Sequence, residues 1–407
     1  NKRDRKIDKI LTNKITGIPV MLLLFGCIFW LTIKGANYPS SFLNHLFFSI
    51  EEDMFLFCNS FMPVWLSDML VYGIYRTLAW VVSVMLPPMM IFFPLFTLLE
   101  DLGYLPRIAF NVDKFFKKCS SCGKQALTMA MGFGCNAVGV CGARIIDSPR
   151  ERLIAIITNS FVPCNGKLPT LIAIITMFLV GVGTGNSLLS VVILMLVIIF
   201  GIFMTFVISK ILSKTILKGL PSSFTLELPP YRKPQVIKVI IRSVLDRTIF
   251  VLGRAVSIAI PAGLVIWLMA NVKFNSISIL TYTANFLDPF ASLLGMDGVI
   301  LLAFILGFPA NEIVIPIIIM SYMATGNLTD FNNLSELKNL LIDNGWTITT
   351  AISVMLFSLM HWPCSTTCLT IKKETKSNKW TLISILVPTL CGIIVCFVFN
   401  FIVNLFI

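Results

Sequence analysis

Long apolar runs separated by short charged stretches set the pattern of this chain. Seven of them approach the ~20 residues that carry a helix across a bilayer: 16–33, 70–99, 153–180, 188–208, 247–270, 346–371 and 380–403. Two shorter runs, 125–143 and 299–322, are broken. The first holds Gly132, Gly134, Gly139 and Gly142, each costing ~1 kcal/mol relative to alanine in a helix interior. The second carries Pro309 and Pro316. Segment 40–62 sets Phe42, Leu46, Phe47, Ile50, Phe55 and Phe57 beside Glu51, Glu52 and Asp53, which predicts a helix lying along the membrane surface. The basic, proline-containing stretch 209–246 reads as the main loop outside the membrane and not as a separate domain.

Composition agrees with a membrane protein. Hydrophobic residues make up 57% and charged residues 13% of 407, about half the charge of a soluble chain, and the mean hydropathy is +0.88. The net charge of +12 is spread in short clusters between apolar runs, a pattern of membrane topology and not of nucleic-acid binding. Eleven cysteines, most inside apolar runs, do not make a disulfide framework. Segments 1–14, 101–124, 144–152, 209–247 and 372–379 hold 26 of the 32 lysines and arginines. The positive-inside rule places them in the cytoplasm, with 34–68, 271–296, 324–345 and the C-terminus outside. That arrangement requires both broken segments to re-enter: 125–143 from inside and 299–322 from outside.

An internal repeat runs through the same positions. Val82-Ser83-Val84-Met85-Leu86-Pro87 matches Val256-Ser257-Ile258-Ala259-Ile260-Pro261. Gly132-Phe133-Gly134-Cys135-Asn136 follows the first anchor as Gly307-Phe308-Pro309-Ala310-Asn311 follows the second, and Pro163-Cys164 is echoed by Pro363-Cys364. Halves of opposite topology with paired broken segments predict a transporter whose site lies near the midplane between them.

Candidate chemistry gathers at those breaks. Glu312 stands alone in an apolar run, where a charge costs ~2.5–3.5 kcal/mol on translocon scales; it calls for a partner or a substrate. Cys135 and Asn136 hold the equivalent place in the first half, and Cys164 and Cys364 lie at the later breaks. Thiol, carboxylate and amide groups converging there suit a divalent transition metal. Cys368 lies one turn beyond Cys364, whereas Cys27, Cys58, Cys391 and Cys396 read as small hydrophobes. Cys119 and Cys122 form a lone C-x-x-C with no second pair at zinc-site spacing. His361 beside Trp362 reads as interfacial. Neither H-E-x-x-H nor G-x-x-x-x-G-K-[ST] occurs, so metalloprotease and nucleotide-hydrolase readings lack support.

LGYLPRIAFNVDKFF, GFGCN, SPRERLIAIITNSF-x-x-C-x-x-K-L-P, GF-x-A-x-E and the late Pro-Cys followed by K-K-E-T resemble the membrane part of the ferrous iron transport protein B family. The resemblance implies an all-α polytopic membrane protein with two inverted Gate repeats and broken helices, similar to nucleoside-transporter folds. It also implies Fe2+ as transported substrate, uptake across the bacterial cytoplasmic membrane, and a metal path through Cys135, Asn136, Cys164, Glu312 and Cys364. DKILTNKITGIPV looks like the join after that family's N-terminal GTPase domain, on which GTP and Mg2+ would act, so that domain is expected outside this sequence. A small Feo-type protein and a homo-oligomer are further expected partners, beside the lipid bilayer. The chain departs from the family at Ala137-Val138-Gly139, where Val-Pro-Ala is common, at Asn311, often basic, and at Asn165-Gly166, which replaces Ser-Ala.

The expected division is a cytoplasmic join over 1–15, a transmembrane helix and external amphipathic segment over 16–69, Gate repeat 1 over 70–187, a helix and basic loop over 188–246, Gate repeat 2 over 247–371 and a last helix over 372–407. Rival readings are a carrier for Mn2+, Zn2+ or a nucleoside-type solute, and a non-transporting membrane scaffold or sensor.

Overall fold

The computed structural model describes residues 8, 11–104, 107, 116–118, 122–181, 187–219, 235–274, 276–328 and 334–406. The C-x-x-C reading falls partly outside them, at Cys119. The described chain is helical apart from one short hairpin, β1 (Lys273–Phe274) with β2 (Ile277–Ser278). Six described helical runs are long and apolar enough to cross a membrane: Pro19–Asn59, Val64–Leu99, Leu189–Lys214, Val251–Asn271, Ile348–Thr375 and Asn378–Phe406. A bent pair, Ile279–Leu293 with Gly298–Leu306, would make a seventh.

In chain order the helices are α1 (Lys14–Ser49), α2 (Glu51–Asn59), α3 (Arg76–Asp101), α4 (Gln125–Gly134), α5 (Asn136–Gly142), α6 (Pro149–Thr158), α7 (Leu168–Ile174) and α8 (Ser187–Lys214). Then come α9 (Val236–Arg242), α10 (Phe250–Asn271), α11 (Ile279–Leu293), α12 (Gly298–Leu306), α13 (Val314–Met323), α14 (Leu334–Asp343), α15 (Ile348–Met360), α16 (Ser365–Thr375) and α17 (Asn378–Phe406). Two boundaries differ from the sequence pattern. The first helix does not stop near residue 33 but runs on to Ser49, with Pro39 inside it. Glu51 then turns inward, 4% exposed, and pairs with Arg76 at 2.7 and 3.1 Å. The run 153–180 is not one helix; it is divided between α6 and α7 by a non-helical stretch at Val162–Lys167.

Lipid-facing and interior surfaces are sorted accordingly. Leu196, Ile199 and Phe203 of α8 and Leu390, Ile394 and Phe401 of α17 point outward, whereas Thr128, Asn136, Asn159, Asn311 and Thr366 are buried. An apolar exterior around a polar interior is what a bilayer selects, since polar groups facing hydrocarbon have no partner.

The repeat is visible in the backbone. A seven-residue π-helical turn, Met69–Tyr75, leads into α3, and another, Ser243–Ile249, leads into α10. Each stops the same distance before its anchor valine, Val82 or Val256. The two helices pack antiparallel: a methyl on Gly73 would meet Trp267, and one on Gly263 would meet Thr77 at 2.9 Å, so the contacts advance along one helix as they recede along the other. Matched helices running in opposite directions are the signature of inverted repeats.

Both short segments turn back on themselves. The α4–α5 chain reverses at Cys135, so that Gly139 of α5 faces the Thr128 carbonyl of α4. The glycines here serve close approach more than helix breaking. α4 runs through Gly132 and α5 through Gly139, and a methyl on either would lie 2.7 or 2.6 Å from the Asn159 amide wedged between them.

Gly263→Leu should lower stability by ~1–3 kcal/mol, the range for overpacking a tight contact, read as a lower melting temperature in detergent. Gly253→Ala, where nothing lies within 4 Å, should instead leave the melting temperature unchanged or raised. Equal effects would contradict the antiparallel crossing.

Candidate ion site at the two helix breaks

Each repeat interrupts its re-entrant hairpin with a single extended residue. Cys135 has φ −155° and ψ 124°, and Ala310, at the matching position, has φ −154° and ψ 126°. Helix resumes after each, at Asn136 in α5 and through the 3-10 turn Asn311–Ile313 into α13. Such breaks leave amides and carbonyls without their intrahelical partners, and the later Pro-Cys segments supply some of them. The Asn165 amide donates to the Gly134 carbonyl (3.4 Å), and the Ser365 amide donates to that of Phe308 (2.8 Å). Prolines one residue before each cysteine keep those segments out of helix.

The asparagines after the breaks are tied in turn. Asn159 Nδ2 donates to the Asn136 carbonyl at 3.0 Å, and in the orientation that satisfies both ends the Asn136 amide donates to Gly132 and Val162 carbonyls. Asn311 Oδ1 meets His361 Nε2 at 3.2 Å, while His361 Nδ1 faces the Ser358 carbonyl at 2.8 Å. This corrects the sequence reading of His361. It is not interfacial: it is 1% exposed and enclosed by Phe304, Phe357 and Trp362.

Around this scaffold the structure draws the sequence candidates into one neighbourhood. Cys164 is buried, with Asn311 Nδ2 4.0 Å from its sulfur. It lies within electrostatic reach of Lys167, Cys364 and Glu312. Cys135 lies within reach of Cys364 and Cys164. Cys364 Sγ contacts Thr367 Oγ1 at 3.2 Å. The Glu312 carboxylate rests against Gly166, so close that a methyl there would sit 2.2 Å from Oε1. Cys368 is turned away, with its thiol on the Pro363 carbonyl. These groups do not form a tight shell: among the described residues no three His, Cys, Asp or Glu side chains are close enough to hold an ion together. The cavity at the first break, touching Phe92, Gly134 and Asn165, has a volume of about 10 Å³, roughly room for one water.

Three participants escaped the sequence reading. Lys167 is 1% exposed and donates to the Leu359 carbonyl at 3.2 Å, so a cation sits within electrostatic reach of the Cys164 and Cys364 thiols. As a lone lysine in an apolar stretch it carried the same signal that singled out Glu312. Asn159 lies in a motif that resembles the family and Gly166 in a departure from it, but neither was assigned a role, since an asparagine and a glycine look ordinary until the fold brings them to the breaks.

Comparison with known proteins assigns this architecture. The Gate model, described as nucleoside recognition, matches residues 82–179 and 252–378, and the model for the ferrous iron transport protein B C terminus matches 194–247. The chain belongs to the ferrous iron transport protein B family. Relatives in that family include the Fe(2+) transporter FeoB of Staphylococcus aureus (strain MSSA476), 31% identical over 99% of this chain and 59% of that protein. The Fe(2+) transporter FeoB of Campylobacter jejuni is 26% identical over 97% of this chain and 64% of that protein. A Porphyromonas gingivalis relative, 25% identical over 94% of this chain and 49% of that protein, is a fusion of Fe(2+) transport protein A with Fe(2+) transporter FeoB. The chain thus spans less than two thirds of the length of these FeoB relatives. No solved structure matches.

Gly166→Ala tests the placement of Glu312. The added methyl displaces a flexible carboxylate and no backbone, so unfolding free energy should change by less than ~1 kcal/mol. Anaerobic Fe2+ titration by calorimetry should nonetheless show weakened binding. An unchanged isotherm would show that the Glu312 carboxylate is not where the ion goes.

Proposed function

We propose that this chain is the Fe2+ path of a bacterial uptake transporter in the cytoplasmic membrane, with one ion site near the midplane between the two Gate repeats. The supporting observation is the joint placement of Cys135, Cys164, Glu312 and Cys364, with Asn136 beside them, at breaks contributed by both repeats. A thiol and carboxylate set is the chemistry of a borderline divalent cation. A nearby dication would favour thiolate and carboxylate over their protonated forms, which couples ion entry to proton release.

Lys167 gives the pathway a second element. Its ammonium neutralises part of the negative charge that a thiolate and a carboxylate would otherwise bring into hydrocarbon, and Fe2+ arriving at the site takes over that role. Affinity alone ranks Zn2+ above Fe2+, so selection rests on geometry or on the metal supplied, and Mn2+ or Zn2+ are the competing cargoes. The boundaries proposed for the repeats are 70–187 and 247–371. In the complete transporter, GTP and Mg2+ would act on a cytoplasmic GTPase domain. The fusion in the Porphyromonas gingivalis relative supports a small Feo-type protein as a partner, and a homo-oligomer is part of the same reading. The description of the Gate model as nucleoside recognition makes a nucleoside the one organic solute to include as a competitor.

Proteoliposome uptake of Fe2+, with Mn2+, Zn2+ and a nucleoside competing, tests this. Glu312→Gln should reduce Fe2+ uptake by about a hundredfold or more in a folded protein, the order of a lost charge partner of an ion. Cys135→Ser should weaken uptake or relax metal preference. Normal transport by Glu312→Gln, with only stability lost, would refute the assignment.

A further inference from the structure

Two helices lead away from the candidate site toward the same face. α5 starts immediately after Cys135, and α16 starts immediately after Cys364. They come from different repeats yet lie side by side, with Val140 of α5 and Ala143 just beyond it packed with Ile371 of α16. Both end in segments that the lysine and arginine distribution places in the cytoplasm, 144–152 and 372–379.

At that end a second group of ion-competent atoms meets. Cys141 Sγ lies 3.9 Å from Glu374 Oε1. Glu374 also accepts a bidentate pair from Arg144, with Nε 2.7 Å from Oε2 and Nη2 2.6 Å from Oε1. The two partners differ in exposure: the Glu374 side chain is 10% exposed and that of Arg144 is 66% exposed. The carboxylate is therefore fixed inside the seam, and the guanidinium is the member free to swing into water. The thiol is held next to the acid by the helix pair itself. Arg144 binds Glu374 directly, and the neighbouring Arg254 donates to Thr370 Oγ1 at 2.6 Å; Arg254 and Lys373 also lie within electrostatic reach of Cys141.

We propose that Cys141 and Glu374 form a second, cytoplasmic-side binding station for a divalent cation, at the foot of the α5–α16 seam, with Arg144 as the built-in cation that holds Glu374 when no metal does. This extends the Fe2+ path proposed above and rests on it. An ion leaving the midplane site reaches a carboxylate and a thiol, displaces Arg144, and is released when Arg144 returns. Fe2+ brings one more positive charge than the guanidinium it replaces, and the Cys141 thiol balances it by giving its proton to water as the ion binds and taking one back on release. Because the pair also joins the two repeats, displacing Arg144 loosens the inner end of the seam at the moment the ion arrives there.

The test uses the full chain and a readout that does not need transport. Cd2+, which takes thiolate and carboxylate ligands, is the probe, and maleimide labelling of Cys141 is followed by mass spectrometry of its peptide. In Arg144→Gln, Cd2+ should slow Cys141 labelling by about tenfold or more, at concentrations that protect the parent chain less. In Arg144→Gln/Glu374→Gln that protection should vanish. Equal protection in both variants, or none in either, would overturn the station. Glu374→Asp keeps the acid and should keep protection, which separates loss of a ligand from loss of fold.

Transport gives the second arm. Glu374→Gln should lower Fe2+ uptake about tenfold, and Arg144→Gln, which removes the cation whose return releases the ion, should lower it as well while tightening Cd2+ protection; the charge-swapped Arg144→Glu/Glu374→Arg chain should not recover uptake. If the pair only fastens the two repeats together, the charge-swapped chain would recover it. That result refutes the proposal. A parent chain that moves no Fe2+ at all refutes the earlier reading instead, and the Cd2+ protection still decides this one.

Discussion

A helix interrupted inside a bilayer leaves amides and carbonyls that water cannot reach, and the rest of this structure depends on how those groups are satisfied. Each unpaired group in hydrocarbon costs several kcal/mol. The chain meets the problem twice with one device: an extended residue at the break, Cys135 or Ala310, and an amide from the following Pro-Cys segment that reaches back to the broken end. Asn159 and His361 then hold the asparagine beyond each break. The two repeats use different side chains for the same task. The fold constrains where a polar partner must stand more tightly than which residue supplies it.

The same constraint explains why chemistry collects here. Irregular backbone at depth must be packed inside protein or line a cavity, so the breaks carry the chain's buried polar atoms inward with them. Cysteines and a glutamate at those points become neighbours because the repeats are antiparallel, as the pairing of Gly73 with Trp267 and of Gly263 with Thr77 shows. Lys167 belongs to the same logic. A buried ammonium is expensive alone, and here it donates to the Leu359 carbonyl and stands within electrostatic reach of Cys164 and Cys364.

Much of this was legible in the sequence, and the parts that were not share a cause. The apolar runs, the two broken segments and the matched anchors follow from local pattern, and the fold is helical and polytopic with both short segments broken, as that pattern predicts. The apolar run ends near residue 33, so the prolonged first helix was not legible; packing of α1 along α3 carries the helix past Gly35 and Pro39. The glycines of the first hairpin were read as helix breakers, whereas Gly132 and Gly139 admit Asn159, a residue twenty or more positions away. His361 was misplaced for the same reason: a histidine beside a tryptophan is ambiguous until its partner, Asn311, is known. Periodicity reports which face is buried. It does not report which distant residue shares that burial.

The central claim is that the two breaks form one site for a permeating metal, and X-ray absorption at the iron edge tests it most directly. The account predicts that the chain, loaded anaerobically with Fe2+, shows a mixed shell with at least one sulfur at ~2.3 Å, near the usual thiolate–metal distance, beside oxygen or nitrogen ligands. It further predicts that this sulfur contribution falls when Cys135, Cys164 and Cys364 are replaced together by serine. A shell of oxygen and nitrogen alone in the parent chain, or a sulfur signal untouched by the triple replacement, would contradict it.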